Sequence, residues 1–566
     1  VLRGLYGLNR ESARRSLYIP TTMLWYEVAG VSRGHLGYVD RDDQTIEGML
    51  MYKQNFADIV NIDAVLGMGV YNQSGTGLEL DYKNANDNIG PDNVAAAEGP
   101  FTPTSSRWEN EKRSQFGRLA VDVLDRYVVS ATIRRDGTDK FFPGKKYAWF
   151  PSVSAAWKIS NESFMKNIKW IDLLKVRASY GVTGRDNLGS SLYGVYRMAP
   201  TYVKFDNNQT NYIPYIKSGA DYPDVTWEKT IMKNIGIDFH LLKDRVWGSV
   251  DVFRNDVTEL LGEAPGEPLS MVGTRPVNYG HYYRAGWDAT LNTVNVKNDG
   301  GFSWSSVLTL TQYNMYWVER TENYDFQEYQ VRENEPMNAN YFYHVSGIIN
   351  SDLSNMPESQ YSLDETWQMP GCPIIEDRNN DGIIGLEDIY LDDTLPKISI
   401  GFGNTFTYKN FDLDIFLYGQ FGSTRYNYAM NWAAPGTLAY SPPQNSNQFA
   451  YELWNSQTRD NGTLPGIAST KTTALPGNAG TDLRRQNASF VRVRNITFGY
   501  NLNGRYLGNV LSKRIEGIRI FLDVQNPFIF TKFSGVDPEI YIGNSSSPAG
   551  YPMTRTFSMG AKFNFK

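Results

Sequence analysis

The sequence has 566 residues, 55 Lys+Arg against 61 Asp+Glu, and a net charge of −6, a balance that argues against a nucleic-acid surface. No apolar run of about 18 residues exists to form a transmembrane helix, and the single cysteine, Cys372, excludes an internal disulfide framework and a thiolate metal cluster. Ring content is high instead: 37 Tyr, 28 Phe and 13 Trp make 14% of the chain beside 50 Gly, which suits either a sugar-binding globule or a transmembrane β-barrel with aromatic girdles.

In chain order, the pattern predicts strands at 18–28, 47–56 and 60–71, followed by a hairpin in which Leu119, Val121 and Val123 alternate with polar neighbours. That hairpin turns at Leu124-Asp125-Arg126 and returns through Tyr127, Val129, Ala131 and Ile133. Strands follow at 149–159 and 173–181, then a hairpin over 234–253 turning at Leu242-Lys243-Asp244. Further strands are predicted at 284–296 and 302–313, in a hairpin over 398–422, and at 488–500, 516–526 and 553–565. The expected fold is all-β, with about sixteen strands of roughly 9 to 13 residues, the length that crosses a bilayer at a tilt.

Short links near 57–59, 124–126, 241–244, 297–301 and 408–410 alternate with long ones at 72–114, 182–229, 314–397 and 422–487. Such alternation is the signature of a transmembrane barrel with tight turns on one side and large extracellular loops on the other. The last strand places Phe557, Met559, Ala561, Phe563 and Phe565 on one face.

One motif stands apart. In "DRNNDGIIGLED" Asp377, Asn379 and Asp381 hold positions 1, 3 and 5, Gly382 makes the turn, Ile383 offers a carbonyl and Asp388 closes at position 12. That spacing of hard oxygens suits a structural Ca²⁺, with Asp388 shorter than the usual Glu and Gly385 at position 9; the bland alternative is an Asx-rich turn. The four histidines show no metal-ligand spacing, and neither a nucleophile elbow nor a Walker loop is present, so no enzyme is expected. Loop aromatics, namely Trp108, Tyr202, Tyr212, Tyr215, Trp367, Trp432 and Trp454, are the candidates for cargo contact, because ring faces stack on sugars and pack on peptide side chains.

Several stretches, in order, carry a family resemblance: "SATIRRDGTDKFFPGKKYAWFPSVSAAWKIS", "LLKVRASYGVTG", "PDVTWEKTIMKNIGIDF", "EDRNNDGIIGLEDI", "PKISIGFGNTFTYKNFDLDIFLYGQFG", "ASFVRVRNITFGYNL", "FLDVQNPFIFTKFSGVDPE" and "GYPMTRTFSMGAKFNFK". From about residue 115 onward the chain resembles the SusC-like branch of TonB-dependent outer-membrane transporters of the Bacteroidetes. The resemblance implies a 22-stranded barrel with a plug, uptake of an oligosaccharide or oligopeptide, a SusD-like surface lipoprotein as lid, and TonB as energiser. It also implies contact with outer-membrane lipid and lipopolysaccharide, and a dimeric SusCD assembly. With about sixteen strands and no plug-like segment ahead of residue 18, residues 1–566 are expected to be the C-terminal barrel portion, TonB acting through a plug and TonB box outside this sequence. Two other readings remain: a SusC-like barrel serving as a docking subunit of a larger complex, and a soluble all-β carbohydrate-binding protein.

Overall fold

The computed structural model describes residues 1–22, 31–88, 94–188, 192–198, 215–218, 221–266, 274–298, 301–320, 327–330, 334–427, 430, 452–454, 461–466, 473–503, 514–540 and 552–565. One antiparallel sheet of 16 strands runs in strict sequence order. Its strands are β1 (Leu2–Ile19), β2 (Arg33–Phe56), β3 (Val60–Lys83), β4 (Phe101–Val123), β5 (Tyr127–Thr138), β6 (Tyr147–Lys158), β7 (Ile171–Arg185) and β8 (Glu228–Leu241). They continue as β9 (Val246–Thr258), β10 (His281–Val296), β11 (Phe302–Glu319), β12 (Ile398–Tyr408), β13 (Phe411–Phe421), β14 (Phe490–Asn503), β15 (Ile515–Thr531) and β16 (Thr556–Phe565). Neighbour pairing by consecutive hairpins is the up-and-down topology, and β1 and β16 stand at the two ends of the order.

The tight turns explain themselves by handedness. Ala57 and Asp58, Leu124 and Asp125, Leu242 to Asp244, and Lys409 all take positive φ without being glycine. A two-residue hairpin needs left-handed backbone to match the twist of its strands, and solvent-exposed turns tolerate the cost.

Two corrections to the predicted elements follow from the same physics. Of the strand expected at 18–28, Tyr18 and Ile19 close β1, which stops ahead of Pro20, a residue with no N–H for a ladder, and residues 23–28 lie outside the described residues. Strands β2, β3 and β4 run for 24, 24 and 23 residues. Most of the predicted loop 72–114 is therefore strand, leaving 84–100 as the connection. Stretches such as 72–77 and 102–106 are polar on both faces, so periodicity had nothing to report there, although Leu78, Leu80 and Tyr82 do alternate with Glu79 and Asp81. Long connections also occur at 259–280 and 532–555, which the pattern did not single out.

By contact density the chain forms two units, one of Val1–Trp157, Ala178–Met232 and Val257–Tyr279, the other of Lys158–Arg177, Lys233–Asp256 and Gly280–Lys566. In the first unit, register puts Leu66, Gly117 and Ile133 in one row, Ala64, Leu119 and Ala131 in the next, and Ile62, Val121 and Val129 below. That face is apolar and bare: Leu66 is 63% exposed, Leu119 48% and Ile133 52%. The second unit repeats the arrangement with Leu522, Met559 and Phe563 on one exposed face. Asp412, Asp523 and Arg519 occupy the other face.

Packed cores lie in the connections instead. Phe141, Phe150, Leu192, Val225 and Trp227 form one in the first unit. In the second, Tyr343, Leu363, Trp367, Ile375, Ile384, Leu475 and Ala479 form another. A sheet that leaves its largest apolar side chains uncovered while its loops are packed is built for a nonaqueous surround.

Candidate functional site

The polar face of the first unit collects rings and charges in register. Tyr71 pairs with Lys112, and Lys112 with Thr138; Gly69 pairs with Ser114, and Ser114 with Asp136; Gly67 pairs with Phe116, and Phe116 with Arg134. All therefore share one side of the sheet. Gly67 leaves room for the Phe116 ring, whose nearest atom would lie 2.3 Å from an added Cβ, and Gly75 does the same for Trp108 at 2.6 Å.

The charges there are paired. Arg134 donates from Nε to Asp136 at 2.7 Å and its guanidinium lies 5.6 Å from the Phe116 ring centre. Tyr71 donates to Glu47 at 2.5 Å. Lys112 Nζ donates to Asp186 at 2.8 Å. Burial alone would push the Asp186 carboxyl up, but the Lys112 hydrogen bond and the charges of Lys112 and Lys140 outweigh it and hold it below the usual carboxylate range. In the second unit Arg177 grips Asp251 through two 2.6 Å bonds and also reaches Asp238, which Lys175 shares at 2.9 Å. Such a wall can meet rings, cations and anions in turn, a surface suited to holding and passing cargo.

The predicted aromatic contacts fare differently from one another. Trp108 stands on the polar face of β4, half-buried over Gly75. Trp367 is only 8% exposed and its Nε1 donates to the Thr473 carbonyl at 2.9 Å, so it anchors the loop core. It also borders a cavity of about 260 Å³ with Thr473, Leu475 and Asn478. Trp454 packs across Gly371 and Gly466. Tyr215 begins a short strand, Tyr215–Ser218, paired with Val195–Met198. Tyr202, Tyr212 and Trp432 lie outside the described residues. Tyr71 and Phe116 escaped the sequence reading because they sit within strands; Gly67 opposite Phe116, and Gly69 two residues before Tyr71 on its own strand, were the available signal.

The 377–388 loop is closed by its own carboxylates. Asp377 accepts from the amides of Asp381 (3.2 Å) and Gly382 (2.8 Å), Asn379 from Asp381 (3.1 Å), and Asp381 from Ile383 (2.8 Å). Asp388 is fully buried and accepts from the amides of Arg378 (2.7 Å) and Gly385 (2.8 Å). Asn380 and Gly382 take positive φ, which bends the backbone around the donors. Tyr343, its pKa pushed up to about 12 chiefly by burial, stays protonated and ties Gly385 to Pro476 through their carbonyls. The donor set of Asp377, Asn379, Asp381 and the Ile383 carbonyl fits a hard cation, while Asp388 is committed to backbone amides. Among the described residues no three His, Cys, Asp or Glu side chains converge as a metal-binding group. The histidines each approach an aspartate, as His344 does Asp482 at 2.6 Å, a pairing the sequence did not reveal.

Residues 8–527 match the model of the TonB dependent receptor-like β-barrel family. TonB-dependent receptor P3 of Formosa agariphila is 26% identical over 99% of this chain and 56% of its own length. TonB-dependent receptor SusC of Bacteroides thetaiotaomicron is 27% identical over 82% of this chain and 44% of its own. The solved RagAB peptide transporter shares the fold with a TM-score of 0.76 at 17% identity, covering 99% of this chain and 59% of that one. The chain thus spans about half the length of the curated relatives it matches.

Proposed function

This chain belongs to the TonB dependent receptor-like β-barrel family, a multi-pass fold of the outer membrane, and from that premise we propose that it builds part of the wall of a SusC-like importer for a nutrient oligomer. The apolar face meets lipid and the polar face lines the bore, so that backbone groups are satisfied within the sheet as a bilayer requires. The observation that carries the reading is the row of Trp108, Tyr71 and Phe116 interleaved with Lys112, Arg134 and Asp136 on one polar face.

Rings alternating with both signs of charge favour an oligopeptide over an oligosaccharide, since a peptide presents apolar side chains and ions together. A SusD-like lipoprotein acts as lid, two such pairs form the dimeric assembly, and TonB pulls through a plug that closes a 22-stranded barrel. Cells carrying the full-length protein should deplete peptides from a defined mixture. Exchange of Trp108 to Ala together with Arg134 to Gln should slow that depletion about thirtyfold at low peptide concentration, for a stacking and an ionic contact of roughly 1 kcal/mol each. Unchanged peptide uptake with slowed oligosaccharide uptake would reverse the cargo assignment. Copurification with several unrelated surface subunits and no lid would favour the docking role.

A structural Ca²⁺ belongs to the same proposal. Asp377, Asn379, Asp381 and the Ile383 carbonyl would hold it, stiffening the extracellular connection 320–397, while Asp388 closes the loop from within. Calcium at millimolar levels should protect 377–388 from protease in the wild type and leave Asp381→Ala unprotected, with chelator reversing the effect. Equal protection in both proteins would leave only the Asx-rich turn.

A further inference from the structure

Near the start of β10 the polar face of the second unit carries an arginine set between rings. Register fixes the face: Asp523 pairs with Thr497, Thr497 with Asp414, Asp414 with Thr405 and Thr405 with Ser305. Alternation along β11 carries the same face from Ser305 to Tyr313 and Met315, and Met315 pairs with Arg284. The Arg284 guanidinium lies 3.7 Å from the ring centre of Tyr313 on β11 and 5.6 Å from that of Phe253 on β9. Gly286, opposite Tyr313, keeps this row open, since a Cβ there would fall 2.7 Å from the Tyr313 Cβ. One row nearer the long connection 259–280, Tyr282 and Trp317 meet edge to face at 5.9 Å.

Other arginines of this face are matched to carboxylates. Arg177 holds Asp251 and Asp238, and Arg519 holds Asp412. Among the described residues no carboxylate pairs with Arg284, and its Nε is buried without a hydrogen-bond partner. Asp251, two residues before Phe253, is taken by Arg177 through two 2.6 Å bonds. Asp288 stands four residues along β10, about 13 Å away. The half-buried guanidinium has therefore given up water to the rings without gaining an anion. Cation–π contact offsets part of that loss, and a bond from the edge N–H groups to a carboxylate would offset the rest.

We infer that Arg284 recognises a carboxylate of the cargo, at the C-terminus of an oligopeptide or on one of its acidic side chains, while Tyr313, Phe253 and Met315 receive the apolar groups beside it. A ring from each neighbouring strand holds the guanidinium, so the fork of the cation is set in advance for a planar two-oxygen acceptor. Lysine would lack both the fork and the stacking. A small free anion would meet the charge but make no use of the rings and the thioether around it. The inference rests on the reading of the polar face as the wall of a peptide importer and names the group by which that wall selects its cargo.

The test uses the full-length protein that carries this chain, purified in detergent, and peptides ending in leucine in matched forms: free C-terminus, amidated, and amidated with one internal glutamate. Retained peptides are read by mass spectrometry. The wild type should hold a carboxylate-bearing form about tenfold over the plain amide, as one charge-assisted bond in a half-buried site provides. Whichever of the two forms shows the preference identifies the source of the carboxylate. Arg284→Gln should level the forms, and Arg284→Lys should keep only part of the preference, both with the heat-modifiable band of a folded barrel. If Arg284→Gln does not fold, Arg284→Met, which keeps an apolar stem between the rings, is read in its place. Equal retention of all forms by the wild type, or an undiminished preference in the uncharged variant, overturns the site. Failure of the underlying reading looks different: the wild type would then retain oligosaccharide and none of the peptide forms, and the site would fall with it.

Discussion

Replacing Arg492 by alanine is expected to destabilise the second unit by about 3 to 5 kcal/mol, the cost of leaving buried carboxylates without their cation. Arg492 is 3% exposed at the start of β14. Its Nη2 donates to both oxygens of Asp537 at 2.7 and 2.8 Å, and its Nε pairs with Glu539. Arg494, the unpaired residue of a bulge between Val493 and Asn495, takes the other oxygen of Glu539 and covers the Tyr418 ring at 5.0 Å. Asp537 in turn accepts from the amides of Glu539 and Met553 at 2.9 and 3.3 Å. The hub therefore pins both limbs of the 532–555 connection to the wall. Urea titration in lipid should report the loss, and protease should enter the connection first. A second exchange, Asp537→Asn in the Arg492→Met background, should recover much of it by removing the stranded charge. No change in the single variant would mean that the connection is held by other contacts, such as Ser534 to Gln486.

Where the sequence was legible, a single cause made it so: one face of the strand had to be apolar. The hairpins through Leu124-Asp125, Leu242 to Asp244 and Lys409 were read correctly in position and turn because alternation and turn residues agreed. Strand β1 was missed except for Tyr18 and Ile19 at its end, since Arg10, Ser12, Arg14 and Ser16 occupy the face that Leu2, Tyr6 and Leu8 begin. The loops hid their order more thoroughly. Trp367 reads as an exposed platform from its place in a long connection, yet a core of Tyr343, Leu363 and Ile375 surrounds it. That core is assembled from segments more than 100 residues apart, and no local pattern encodes such a meeting. The Arg492 hub was half visible in "VRVRN", where two arginines alternate with valines inside a strand; their partners in "GVDPE" lie 45 residues downstream.

The same alternation fixes where one wrong charge costs most. Along β5 and β6 the apolar face begins at Tyr127 and Trp157, whose rings stack at 6.5 Å, and ends at Tyr147 and Trp149. Ten residue steps from Tyr147 to Trp157 make about 33 Å of strand, or about 25 Å of height at a tilt near 40°, the thickness of a barrel's apolar band. Leu119 pairs with Ala131, and Ala131 with Val153, which places this row midway between the ring pairs. Leu119→Arg should therefore cost about 2 to 4 kcal/mol, the penalty for arginine near the bilayer midplane. Ala120→Arg is its control one residue away: Ala120 pairs with Asp63 and Ser130 on the polar face, where a cation meets water and a carboxylate. Folding titrations of the two variants in the same lipid should differ by most of that penalty. If Ala120→Arg proved the costlier, the hydrocarbon would lie against the polar rows, and cargo would have no wetted wall to follow.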